Sequence, residues 1–147
     1  MGYLYGMLAL VAGTFIPLQA GINALLANRV ESTVWAAFAS FTGGTLVLFG
    51  YLVSTRTTWP TLEQAISFPW WLWSGGVLGA FLVWTGIVVI PKIGATALVG
   101  FVVTGQLLAS LALDHFGLLG VPTQEISAGR VAGAFLLIAG VLLIRKY

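Results

Sequence analysis

Gly75-Gly76-Val77-Leu78-Gly79-Ala80-Phe81-Leu82-Val83-Trp84-Thr85-Gly86-Ile87-Val88-Val89-Ile90 is a stretch of sixteen residues with no charged side chain. The charge-free run around it extends from 64 to 91, and three more such runs cover 1–28, 32–55 and 93–113. A hydrocarbon core about 30 Å thick takes roughly 20 apolar residues as helix, so each run is long enough to cross once. Only 7% of the 147 residues are charged and 59% are hydrophobic, where a soluble domain has about 25% charged. Outer-membrane strands would alternate in polarity, and these runs are apolar on both parities. The sequence is that of an all-α integral membrane protein. With no Cys and one His, a disulfide scaffold and a zinc protein are both excluded. A net charge of +2 gives no footprint for nucleic acid.

Five transmembrane helices are expected, over about 2–27, 33–53, 70–90, 95–113 and 126–144, in one domain covering 1–147. The first is not read as a cleaved leader, because no Lys or Arg precedes its apolar stretch. Residues 28–32 form a short polar link, and Ser54 to Pro69 forms the first real loop. Pro91 is expected to close the third span, since the residue before a proline avoids helical geometry. The fifth has a charge-free run of only 14 residues, 131–144. It reaches spanning length if Arg130 snorkels to the headgroups. Five spans put the termini on opposite sides. Arg29, Lys92, Arg145 and Lys146 then share the carboxy-terminal side, against Arg56 and Arg130 on the other. The bias of two places the carboxy terminus inside, weakly enough to permit both orientations.

Nineteen glycines allow helices in lipid to approach closely. The first span carries a stripe of Gly2, Gly6, Ala9, Gly13, Pro17, Ala20 and Ala24. The third carries the pair Gly75 and Gly79. Trp59, Trp70, Trp71 and Trp73 form an aromatic belt. Trp84 falls mid-span, where it either packs against lipid and neighbours or walls a cavity for a flat or cationic guest.

The polar residues inside the spans are the candidates for function. Pro17 removes a hydrogen bond to the carbonyl of Gly13 and should loosen the first helix there. Gln19 and Asn23 follow on one face. Transporters use such discontinuities around substrates, although amides also simply join helices. The fourth span repeats the theme with Gln106, Ser110 and Asp114. Thr14, Ser40, Thr45, Thr85 and Thr104 are further candidates, with the reservation that Ser and Thr usually bond their own helix. Asp114 and His115 are either a solvated interfacial pair or a coupling pair facing a vestibule. No HExxH, GxSxG or phosphate-binding glycine loop is present, so no enzyme, cofactor or metal is expected.

Pro17-Leu18-Gln19-Ala20-Gly21-Ile22-Asn23-Ala24, Pro91-Lys92-Ile93-Gly94-Ala95, Gly105-Gln106-Leu107-Leu108-Ala109-Ser110 and Asp114-His115-Phe116-Gly117 together resemble the YdcZ-like family of inner-membrane exporters. That family lies within the drug/metabolite transporter superfamily. The resemblance covers essentially the whole chain. It implies a multi-pass protein of the bacterial inner membrane that exports a small molecule by alternating access. Superfamily members with few helices imply an antiparallel (inverted) homodimer, or a homologous partner, around a midplane pocket. In that scheme Gln19, Asn23, Gln106, Trp84, Thr14 and Ser110 bind substrate, and Gly13 and Pro17 form a hinge. The small multidrug resistance proteins carry a Glu in helix one, whereas this chain has Thr14, Gln19 and Asn23 there. Proton antiport by that carboxylate is therefore not expected. The alternative is a non-transporting scaffold or assembly subunit that recruits another membrane protein through its glycine faces.

Overall fold

Apolar runs of this length leave the backbone no partner but itself in lipid, so helix is the structure they must take. A computed structural model describes residues 2–146; Met1 and Tyr147, the two termini, lie outside the described residues. Helix accounts for 86% of the described residues, and no strand occurs among them. The helices are α1 (Gly2–Val30), α2 (Thr33–Ser54), α3 (Leu62–Ser67), α4 (Gly75–Ile93), α5 (Ala95–Phe116) and α6 (Ala128–Lys146). Five are long and apolar enough to cross a membrane, with the third crossing extended to Trp70–Ile93 by a 3-10 turn over Trp70–Ser74.

The boundaries depart from expectation in four places. α1 continues through Arg29 to Val30, so the polar link shrinks to Glu31 and Ser32. A cation in the last turn favours the helix's negative end, and the same holds for Lys92 in α4 and for Arg145 and Lys146 in α6. Pro91 does not close α4, which runs on to Ile93. The stop is Gly94, whose φ of +82° turns the chain into α5. α5 continues past Leu113 to Phe116 and ends on Gly117 in the left-handed conformation. α6 keeps the expected 19 residues but starts at Ala128, two positions late.

The loop from 55 to 69 holds a short helix that the sequence reading passed over. Thr61 Oγ1 accepts from Gln64 N at 3.2 Å, and Gln64 Oε1 accepts from Thr61 N at 3.0 Å. This reciprocal cap starts α3.

The chain divides into two compact units. One joins Leu18–Lys92: the second half of α1, then α2, α3 and α4. Its core is Ala27, Ala36, Ala37 and Ile87, with Leu26 and Val83 against it. Small side chains let the helices approach, and Ile87, 1% exposed, fills the space. The turn between α1 and α2 is two residues long. Glu31 is left-handed at φ +54°, and Ser32 caps α2 by accepting from Trp35 N at 3.2 Å.

The other unit holds residues up to Pro17 and those from Ile93 onward. Here α5 and α6 pack through Ala97, Leu98, Ala134 and Val141, all buried. The closest approach is at Gly100, where an added Cβ would lie 2.9 and 3.0 Å from the two γ-carbons of Val141. Arg145 covers the Phe101 ring at 5.7 Å near the end of the pair.

Of the small-residue stripe on α1, Ala20 and Ala24 are buried, whereas Gly2, Gly6 and Gly13 have open space where a side chain would stand. Gly79 lies against Phe41, and Gly75 faces open space.

Val141 is branched at Cβ and cannot swing away from an intruding methyl. Gly100→Ala should therefore destabilise the protein by about 1–3 kcal/mol in a reversible unfolding titration in micelles. Adding Val141→Ala should recover part of that loss. Strict additivity of the two changes would show that the contact is absent.

Candidate binding site

A hairpin with a two-residue turn places residues equidistant from the turn at one level. Asn23 lies eight residues before Glu31, and Ser40 lies eight after Ser32. Ala27 and Ala36, both in the core, stand four residues from the turn in the same way. Ser40 is thus set opposite the amide face of α1, about 12 Å along the helix from the turn.

The hydrogen bonds follow from that register. Asn23 Nδ2 donates to Ser40 Oγ at 3.1 Å, and Gln19 Nε2 donates to the same oxygen at 3.3 Å. A hydroxyl oxygen has two lone pairs, and both are used. Asn23 is 5% exposed, the one buried polar residue among those described, while Gln19 is exposed. The amide oxygens of Asn23 and Gln19 receive no donor from the described residues. The second N–H of each amide and the Ser40 O–H are also without a partner there, so the node offers both acceptors and donors and no formal charge. It can bind a neutral polar or donor-bearing group, but it has no carboxylate with which to hold a cation by charge.

Trp84 belongs to the same unit but to a different level. Its Nε1 donates to Thr33 Oγ1 at 3.3 Å. Thr33 opens α2, seven residues from Ser40, or about 10 Å along the axis. Central in α4 by count, Trp84 reaches the first residue of α2 with its indole N–H. Its polar edge is occupied, and its ring joins Phe81 at 6.3 Å between centroids. Together with Phe38 and Phe41 these rings wall a groove of about 620 Å³ between α2 and α4. Nearby on α4, the Thr85 hydroxyl is buried with no partner.

The remaining expected site residues fall in the other unit. Thr14 bonds its own helix, donating to Val11 O at 2.7 Å, as Thr104 does to Gly100 O at 2.8 Å. Gln106 and Ser110 are exposed. Pro17 sits where α1 passes from one unit to the other, with α1 helical on both sides of it. It also lines an apolar groove with α5 and α6.

Asp114 and His115 each have their own partner. Asp114 Oδ2 pairs with Arg130 Nη1 at 3.3 Å, and His115 Nδ1 accepts from Ile126 N at 3.3 Å. Arg130 therefore turns onto the end of α5. Gln124 completes the knot, with its N–H on Asp114 O at 2.8 Å and its own oxygens taking the guanidinium.

Sequence reading placed Ser40 among residues expected to satisfy themselves locally. The equal spacing about a short turn was the signal that would have raised it. For Arg130 and Gln124 no comparable signal exists, because their meeting depends on how the loop from 117 to 127 folds back.

Five helices long and apolar enough to cross a membrane, with a buried uncharged polar node between two of them, give the chain the build of a multi-pass membrane protein. A family model described as "Putative inner membrane exporter, YdcZ" matches residues 4–143, and the chain belongs to that family. No match was found among curated proteins or among solved structures.

If Ser40 serves both amides, removing its hydroxyl orphans two donors at once. Ser40→Ala should destabilise by about 1–2 kcal/mol, toward the upper end of interhelical bonds in membranes. In a double-mutant cycle with Asn23→Leu the two losses should be strongly non-additive. A coupling energy indistinguishable from zero would mean that the amide and the serine do not meet.

Proposed function

We propose that this chain exports a small molecule through a site built on Gln19, Asn23 and Ser40, in a pair of inverted copies that enclose it near the midplane. The observation that carries this reading is the buried Asn23, whose amide oxygen, like that of Gln19, remains unused. An amide retained in a membrane helix costs stability unless it is satisfied. In this pair one N–H of each amide is satisfied, which leaves the two amide oxygens, the second N–H of each amide and the Ser40 hydroxyl hydrogen for a substrate.

Three further features support the reading. The family is described as an exporter. The division of the chain at Pro17 agrees with a joint in α1 at that residue. Proline's tertiary amide nitrogen has no N–H to hold the helix straight, so bending there costs little. Open space over Gly2, Gly6 and Gly13 leaves that stripe free for another helix, and the small bias of cationic residues permits copies of both orientations. Gln106 lies in the other unit and is not assigned to the site.

The chain has no cysteine, so single cysteines report cleanly. Glu31→Cys and Thr57→Cys, at opposite ends of α2, should each react with a membrane-impermeant thiol reagent in only part of the population of intact cells. In reconstituted vesicles, a broad metabolite panel should yield at least one compound whose flux falls about tenfold in Asn23→Leu. Complete labelling at one position and none at the other would exclude the inverted homodimer. Flux unaffected by Asn23→Leu would remove the node from the transport path.

A further inference from the structure

A second polar site lies at the end of α5, in the unit that does not contain Asn23. Leu107 and Leu111 from α5 and Gly133 and Ala134 from α6 wall a groove of about 310 Å³. Ser110, Asp114 and Arg130 form its polar end. Gly133 carries no side chain and has open space above it, so the groove stays unfilled.

The hydrogen-bonding inventory at that end is unequal. A guanidinium has five N–H donors. Three are used here, two on Nη1 by Asp114 and the Gln124 carbonyl, and one on Nη2 by the Gln124 side chain. Two donors are left. Asp114 Oδ2 takes the arginine, while Oδ1 has no donor among the described residues. The Ser110 hydroxyl is also without a partner there, unlike those of Thr14, Thr42 and Thr104, which bond their own helices. Side chains of Asp114 and Arg130 are 29% and 30% exposed, neither sealed nor free.

The unused groups therefore fall in two kinds. The arginine donors suit an oxyanion, and the carboxylate oxygen with the serine suits an ammonium carrying N–H bonds. Depth adds a third requirement. Asp114 lies two residues inside the end of α5, and Arg130 two inside the start of α6, about 3 Å along each axis. That is headgroup level for membrane-spanning helices. Leu107 is seven residues deeper, about 10 Å into the hydrocarbon. The occupant must thus be an amphiphile with an oxyanion and a primary ammonium at one end and an apolar chain at the other.

We infer that the α5–α6 groove binds a zwitterionic phospholipid with a primary amine, its phosphate on Arg130, its ammonium on Asp114 and Ser110, and an acyl chain along Leu107 and Leu111. A free apolar amino acid shares the polar end but lacks the long chain. This site is separate from the amide–serine node and does not rest on the transport reading.

The full-length protein, delipidated in micelles, is titrated by native mass spectrometry and thermal stability with phosphatidylethanolamine, phosphatidylcholine, phosphatidylglycerol and leucine. Phosphatidylcholine keeps the phosphate but has no ammonium N–H, and phosphatidylglycerol has no amine. Phosphatidylethanolamine is expected to bind about tenfold more tightly than either. Asp114→Asn should abolish that preference. Ser110→Ala, which disturbs no existing bond, should reduce it several-fold with the fold intact by circular dichroism. Saturable binding of leucine without a preference among the lipids would put a free amino acid in the groove and overturn the lipid assignment. Equal binding of the three lipids, or a preference that survives both substitutions, likewise overturns the proposal.

Discussion

The pair of hydrogen bonds that Asn23 and Gln19 donate to one serine oxygen is the constraint on which the α1–α2 hairpin depends. An amide in hydrocarbon has no water to fall back on, so its partner must come from a neighbouring helix at the right level. The two-residue turn at Glu31 and Ser32 supplies that level. Lengthening it by one residue would rotate and raise Ser40 by a step of helix, and the amides would lose their common acceptor. The same register sets Ala27 against Ala36 and leaves room for Ile87. Packing and polarity in this unit are therefore two consequences of one short turn.

The two units solve the polar problem differently. In one, uncharged groups meet along the α1–α2 hairpin and keep donors and acceptors in reserve. In the other, full charges are held at the helix ends, where Asp114, Arg130 and Gln124 knot the loop onto α5. Charges are expensive in hydrocarbon and affordable at the interface, which accounts for where each kind is found. Pro17 lies at the boundary between the units within α1.

Much of this was legible in the sequence, because bilayer thickness fixes the length of an apolar run. All five spans were found, and α6 had its correct length although its start was displaced. Boundaries slipped at Pro91, which forfeits one bond to the Ile87 carbonyl yet lets the helix run two residues further, and at Val30 and Phe116, where charged or polar residues remain helical. The capped helix α3 was signalled by Thr61 and Gln64 and still passed over. At the site, Gln19 and Asn23 were recognised from their spacing on one face. Their partner was not, since the usual habit of a lone serine pointed to its own backbone. Trp84 is central in its span as expected, but that its indole N–H meets Thr33 on another helix could not be read from the run itself. Tertiary register, unlike helix length, is not written in a single run of residues.

The claim that Ser40 lies beside a path open to polar solutes is tested most directly by accessibility. Ser40→Cys in this cysteine-free chain puts a thiol of nearly the same size at the node. It should react with a small, water-soluble, permanently charged thiol reagent in membranes, and a transported compound should slow that reaction. A cysteine that reacts only with a lipophilic maleimide, at a rate no solute alters, would show that the node faces packing or lipid and that no substrate passes it.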